Sequence, residues 1–299
     1  MVRDLLKKIL TEKQKNLLKQ IIVLMPRYNN KCKILNLENV KIKTSYDTLE
    51  KIKSIILNGQ KGCYIRFGDG DIFLLKNIGQ HRNQSHNIKL IQELREAISI
   101  NADNAIKSLA INSKKFGIEE YMEYGIHEVP NFQAEKILLN TYEFFIGNQI
   151  YSPVALHYQI VYNKQYAIEF LRMLRSFHPT FVGSEQNSPE ILKSVLDSTD
   201  IVQTLHRNTY EQIDKLENQI VELLKKRNLD YDIVVFSCGA TAKALIKRIY
   251  LNYNKPVFLF DMGSVIDLFH GRTQWTWVKK AGIDSSYLDS IVEALSESK

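Results

Sequence analysis

The chain has 299 residues, 44% of them hydrophobic and 24% charged, with 13 glycines and 6 prolines. That composition excludes a disordered, collagen-like or disulfide-framework protein, and the length suffices for a large packed core. The net charge is +7, and residues 1–34 carry all of it, with nine basic side chains against two acidic ones. The remainder is neutral, which excludes the basic folded face that a nucleic-acid partner needs.

Cys32, Cys63 and Cys238 form no C-x-x-C pair and leave an odd thiol, which points to a reducing cytoplasm and away from a zinc cage. No run of eighteen uncharged apolar residues is present, and the start has no signal-peptide cleavage pattern.

In chain order, the first element is basic and amphipathic. Leu5, Leu6, Ile9, Leu10, Leu17, Leu18, Ile21 and Ile22 recur at three-to-four spacing among lysines, with a polar break over 11–16 and a stop at Pro26. Two readings fit. Residues 1–25 could lie on an anionic membrane face, where each basic residue contributes about 1 kcal/mol. Equally, the stripe could pack on its own domain or on a second copy of the chain as a homodimer contact, since it has no Trp or Phe anchor.

From residue 35 onward, β-rich runs alternate with helical patterns. Strands are predicted at 63–67, 108–111, 180–182, 201–204, 233–236 and 257–260. Helices are predicted near 46–57, 88–99, 134–145, 167–176, 189–196, 210–226 and 241–251. Several strands, such as Ile233-Val234-Val235-Phe236, are apolar throughout, as in parallel sheets covered by helices on both faces. The expected fold is α/β and Rossmann-like: a mostly parallel sheet with helices on both faces, one domain over 35–299 behind a helical extension over 1–34.

Ligands of such sheets bind beyond the carboxyl ends of the strands, so the residues after each strand are the candidates. After the first strand come Gly68-Asp69-Gly70-Asp71. The intervening glycine lets both carboxylates turn toward one point, where hard oxygen ligands suit Mg²⁺ or Mn²⁺. Arg66 could pair with these acids or with a phosphate. An ordinary Gly/Asp turn capping a helix fits the same residues. Ser237-Cys238-Gly239-Ala240-Thr241-Ala242 follows the fifth strand. Such a turn exposes N–H groups of Gly239, Ala240 and Thr241 at a helix N-terminus, where a diphosphate fits. A plain tight turn is the alternative.

Asp261 ends the last strand and Ser264 follows it; there an acid serves a site or caps a helix. Asp267, His270 and Arg272 could reach a diphosphate or an acceptor, and Arg272 lies near Trp275 and Trp277, which stack on a ring or pack in the core. Glu185, after the third strand, is placed to take a proton from an acceptor hydroxyl, to bind a sugar hydroxyl, or to cap a helix. The seven histidines show no H-E-x-x-H spacing, and there is no G-x-S-x-G elbow.

The string Arg66-Phe67-Gly68-Asp69-Gly70-Asp71 resembles the Arg-Phe-Gly-Asp-Gly-Glu signature of the GT-D fold glycosyltransferases, a bacterial family of nucleotide-sugar-dependent enzymes. The likeness continues in order. Residues 181–187 resemble the family's Gly-x-Glu-x-Asn segment, 237–242 its small-residue turn and 261–267 its Asp-x-Gly-Ser segment, so that 46–277 is covered. Two departures stand out: Asp71 is one methylene shorter than the family's Glu, and Ser264 occupies a position where some members carry His.

The resemblance implies a metal-dependent glycosyltransferase acting on a nucleotide-diphosphate sugar, with inversion. Asp69 and Asp71 would hold Mn²⁺ or Mg²⁺. Arg66, Gly68, Gly239, Ala240, Thr241, Asp261, Ser264 and Arg272 would bind donor, and Glu185 and Asp267 would be catalytic. The acceptor would be a glycan or lipid-linked glycan in bacterial surface polysaccharide or glycoprotein assembly. Two rivals remain: a non-catalytic nucleotide-sugar or polysaccharide-binding component, and a metal-independent nucleotide-cofactor enzyme such as a methyltransferase.

Overall fold

A computed structural model of the chain describes residues 40–76, 84–117, 119, 128–147, 149–272 and 276–297, with Asp69 and Thr276 described in the backbone only. The expected helical extension over 1–34, and the domain boundary after it, lie outside the described residues. Among the described residues no helix is long and apolar enough to cross a membrane.

The elements run α1 (Ser45–Leu57), β1 (Gly62–Phe67), α2 (Asp69–Leu75), α3 (Ile88–Ile98), β2 (Ala105–Leu109), α4 (Asn131–Thr141), α5 (Ala155–Tyr162) and α6 (Lys164–Arg175). They continue with β3 (Thr180–Ser184), α7 (Pro189–Leu196), β4 (Ile201–Thr204), α8 (Ile213–Arg227), β5 (Asp232–Ser237), α9 (Ala240–Asn252) and β6 (Val257–Asp261). Three more helices follow: the short α10 (Val265–Phe269) and α11 (Thr276–Ala281), and α12 (Ser285–Ser296).

The six strands form one parallel sheet in the order β2-β1-β6-β5-β3-β4. Successive side chains of a strand enter opposite cores, as the two-residue period requires. Val234, Phe236, Val257 and Leu259 join α2, α3, α4, α8 and α9 on one face. Ile233, Val235, Phe258 and Phe260 join α1, α5, α6, α7, α10, α11 and α12 on the other. Each predicted strand is present; β4 has the predicted bounds, and the other five are extended or shifted at one or both ends by one to three residues.

Five helices escaped the sequence reading: α2, α5, α10, α11 and α12. In α5 the cause is physical. Six of its eight residues are buried, so no polar face exists to set a 3.6-residue period. In α2 the Gly/Asp string is the helix-capping turn that the sequence offered as one reading, with Gly68 capping a helix that begins at Asp69.

Strand order also locates a crevice. The connection leaving β5 passes through α9 to β6, whereas the connection leaving β3 passes through α7 to β4 in the opposite direction. The helices therefore diverge at the neighbouring carboxyl ends of β3 and β5, which is where open α/β sheets bind ligands.

Candidate functional site

The site is built from strand ends. Asp261, the last residue of β6, is 1% exposed, and its two oxygens accept from the N–H of Arg66 at 3.3 Å and of Gly263 at 3.1 Å. Asp71 is also buried; its Oδ2 accepts from Gly68 N at 3.0 Å, closing the first turn of α2. Its Oδ1 is buried with no hydrogen-bond partner among the described residues. A buried carboxylate oxygen left bare is costly.

Lys243 joins these two acids. Helical side chains lean toward the N-terminus, so a lysine in the first turn of α9 brings its ammonium back to the mouth of the helix. Its Nζ lies 3.1 Å from Asp261 Oδ2, 3.5 Å from Asp71 Oδ2 and 3.1 Å from Gly239 O. Burial opposes the charge, but Asp261 and Asp71 outweigh it and hold the ammonium's pKa above its ordinary value.

The turn into α9 has the conformation that the small residues suggest. Gly239 has φ +60° and ψ −136°, which a residue with a Cβ rarely adopts, and no side chain caps the helix it opens. An uncapped N-terminus of a 13-residue helix offers N–H groups to an anion. Gly263, also at φ +60°, makes room for Arg66, since an added Cβ would stand 1.4 Å from Arg66 Nη1. The same guanidinium is anchored through Nε to the carbonyl of Pro153.

Beyond β6, Asp267 pairs with Arg272 Nη1 at 2.8 Å, and Arg272 Nη2 donates to Gln186 O at 2.9 Å. Burial raises the Asp267 carboxyl above the ordinary aspartate range, with Arg272 acting against it. Ser264 Oγ lies 3.3 Å from His157 Nε2. His270 is a structural anchor here: Nδ1–H donates to Ile266 O while Nε2 accepts from Ser188 N. Trp277 packs against the second core, edge-on to His157, whereas Trp275 lies outside the described residues.

These pieces surround a cavity of about 190 Å³ at the carboxyl ends of β3 to β6. Of the residues expected from sequence, Gly239, Ala240, Asp261, Ser264, Asp267 and Arg272 line it. Asp71 and Arg66 do not; they meet it through Lys243 and Asp261. Gly68 serves the cap of α2, and Thr241 is buried at 1% exposure behind the turn. Glu185 faces a neighbouring groove of about 700 Å³ along β4 and α8. Cavity and groove share Thr204 and Leu205, so they adjoin. The Asp69 side chain lies outside the described residues.

Among the described residues no three His, Cys, Asp or Glu side chains are grouped to hold a metal. Asp71 nevertheless presents what a hard cation needs, a buried carboxylate oxygen with nothing bound to it. Its donor chemistry fits Mg²⁺ or Mn²⁺.

Lys243 was not anticipated. Its signal was present in the sequence: a cation in the first turn of a helix, at the wrong end of the dipole, amid alanines and leucines.

No protein-family model and no curated protein matches this chain. Solved structures do share its fold. A selenomethionine-substituted domain of unknown function 1792 superposes with a TM-score of 0.57 at 16% identity, covering 87% of this chain and 86% of that one. A domain of unknown function 1792 described as having a distinct glycosyltransferase fold superposes equally, at 15% identity and the same coverage. A glycosyltransferase of this group from Streptococcus sanguinis gives 0.56 at 16% identity, over 81% of this chain and 85% of that one. At such identities the likeness is one of fold: the parallel α/β architecture read from the sequence is that of proteins with a glycosyltransferase fold.

Proposed function

We propose that the chain is a glycosyltransferase that takes a nucleotide-diphosphate sugar in the cleft at the carboxyl ends of β3, β5 and β6. One observation carries this reading: the uncapped terminus of α9, Lys243 and Asp261 open on one cavity, with Asp71 paired to Lys243 behind them, in a fold shared with glycosyltransferase-fold proteins. The 190 Å³ cavity is smaller than the roughly 300–1,000 Å³ of whole-ligand sites, so it suits the diphosphate and its sugar, with the nucleoside extending outward.

Asp71, together with Asp69, would hold Mn²⁺ or Mg²⁺, which when bound neutralises the diphosphate as it leaves. Charge balance supports that assignment. Lys243 is paired with Asp71 and Asp261, and Arg272 with Asp267, so the lysine and the arginine of the described wall are already engaged with carboxylates rather than free for a diphosphate. The chain's own N–H groups at Gly239 and Ala240, which line the cavity, would grip phosphate oxygens without reorganising.

Asp267 takes the role of base in this scheme. It lines the cavity, and a carboxyl raised by burial accepts a proton from an acceptor hydroxyl more readily than an ordinary aspartate. Arg272 holds its orientation. Glu185 belongs to the acceptor side, in the adjoining groove, where it binds sugar hydroxyls. The acceptor is a glycan or lipid-linked glycan at the cytoplasmic face, with residues 1–25 providing contact to anionic lipid or to a second copy.

The test is a panel of UDP-, GDP- and dTDP-sugars with Mn²⁺ or EDTA. Metal-dependent release of nucleoside diphosphate is expected. Tight sugar-nucleotide binding without turnover would instead identify a binding component, and S-adenosylmethionine binding indifferent to EDTA a methyltransferase.

A further inference from the structure

A site that receives a divalent cation ordinarily leaves its carboxylates free, yet here they already hold a cation. Lys243 Nζ spans Asp261 Oδ2 and Asp71 Oδ2, its side chain is 7% exposed, and no other described basic side chain pairs with Asp71. We propose that Lys243 is an internal competitor of the divalent ion: in the nucleotide-free protein its ammonium bridges the Asp71–Asp261 pair and suppresses metal binding, and an arriving diphosphate draws it away. This rests on the assignment of Asp71 as a metal ligand.

Three observations support it. First, the ammonium and a hard cation seek the same carboxylate group, the ammonium on Asp71 Oδ2 and the metal on the bare Oδ1 beside it, and two cations about 4 Å apart repel by more than about tenfold in affinity even where water partly screens them. Second, the ammonium has an alternative partner within reach. Lys243 lines the cavity and already touches Gly239 O, beside the uncapped N–H groups where a phosphate would rest. Its flexible four-carbon stem permits the swing. Third, Asp71 Oδ1 stays bare among the described residues, so the lysine offsets one of the pair's two charges and leaves the pair's coordination open. Metal and nucleotide would then bind cooperatively, each raising the affinity of the other by the same factor.

The experiment measures Mn²⁺ binding to the full chain without nucleotide, by the electron paramagnetic resonance signal of free Mn²⁺. Lys243→Met should bind Mn²⁺ at least about tenfold more tightly than the wild type. Lys243→Gln, which keeps a polar contact to Asp261, should do likewise and stands in if the methionine variant fails to fold. Adding Asp71→Asn to either variant should abolish the gain. Affinity in a folded Lys243 variant that is equal to or weaker than the wild type overturns the proposal. So does a gain that survives Asp71→Asn. The outcome is independent of catalysis: wild-type turnover with unchanged Mn²⁺ affinity in the variants rejects the competition and leaves the glycosyltransferase reading standing. A gain in affinity in a protein that turns over no sugar nucleotide does the reverse.

Discussion

Replacing Gly263 by alanine probes the wall of the cleft directly. Gly263 holds φ +60°, and its missing Cβ would stand 1.4 Å from Arg66 Nη1 and 2.7 Å from its Cζ. A left-handed conformation costs a residue with a Cβ about 1–2 kcal/mol. The guanidinium must also withdraw, loosening the bond from its Nε to Pro153 O; a hydrogen bond from a charged donor contributes about 1.5–3 kcal/mol, less where water replaces it. Together these predict a loss of about 2–4 kcal/mol, which for a chain of this size lowers the melting temperature by roughly 5 °C or more. Thermal unfolding followed by circular dichroism at pH 7 reads this out. The Arg66→Ala/Gly263→Ala double variant should recover the clash but not the backbone cost, so the two effects should be non-additive. If Gly263→Ala melts within about 1 °C of the wild type, Arg66 does not pack over Gly263 and the wall has been misread.

Three further outcomes are expected. Asp267→Asn should lower turnover about 10²- to 10⁴-fold with little change in donor KM; because burial raises this carboxyl, wild-type activity should fall on acidification at a pH above the ordinary aspartate range. Glu93 is 8% exposed and bonded to Arg248, Lys247 and Tyr210. Burial opposes its charge, but Arg248 and Lys247 hold its pKa below the ordinary glutamate value. Its stabilisation is therefore complete above that ordinary value and lost as pH falls through the depressed one. Glu93→Gln should melt lower at pH 7, with the gap to wild type closing in acid. Gly183→Ala would place a Cβ 2.5 Å from the buried Phe181 ring, an overpacking worth about 1–3 kcal/mol in denaturant unfolding; unchanged stability would show that the ring has room to move.

The central strands β5 and β6 were legible because a strand inside a parallel sheet is apolar on both sides, and runs 233–236 and 257–260 carry that mark without any knowledge of their neighbours. The glycine turn at 239 was legible for a similar reason, since its backbone conformation is a local demand. Helix α5 was not, because burial all round erases the amphipathic period. Nor was the pairing of Asp71 with Lys243, 172 positions along the chain.

Residue type and spacing thus determine which atoms are present at each strand end: acids after β1 and β6, small residues after β5, an acid after β3. They do not determine which of these ends meet. That follows from the strand order, which sets β6 between β1 and β5 and so brings Asp71, Asp261 and Lys243 together, while β4 at the sheet's edge draws Glu185 into a separate groove. Pairing of distant strands depends on how two cores fill from both faces at once, a property of the whole chain that no local run of residues encodes.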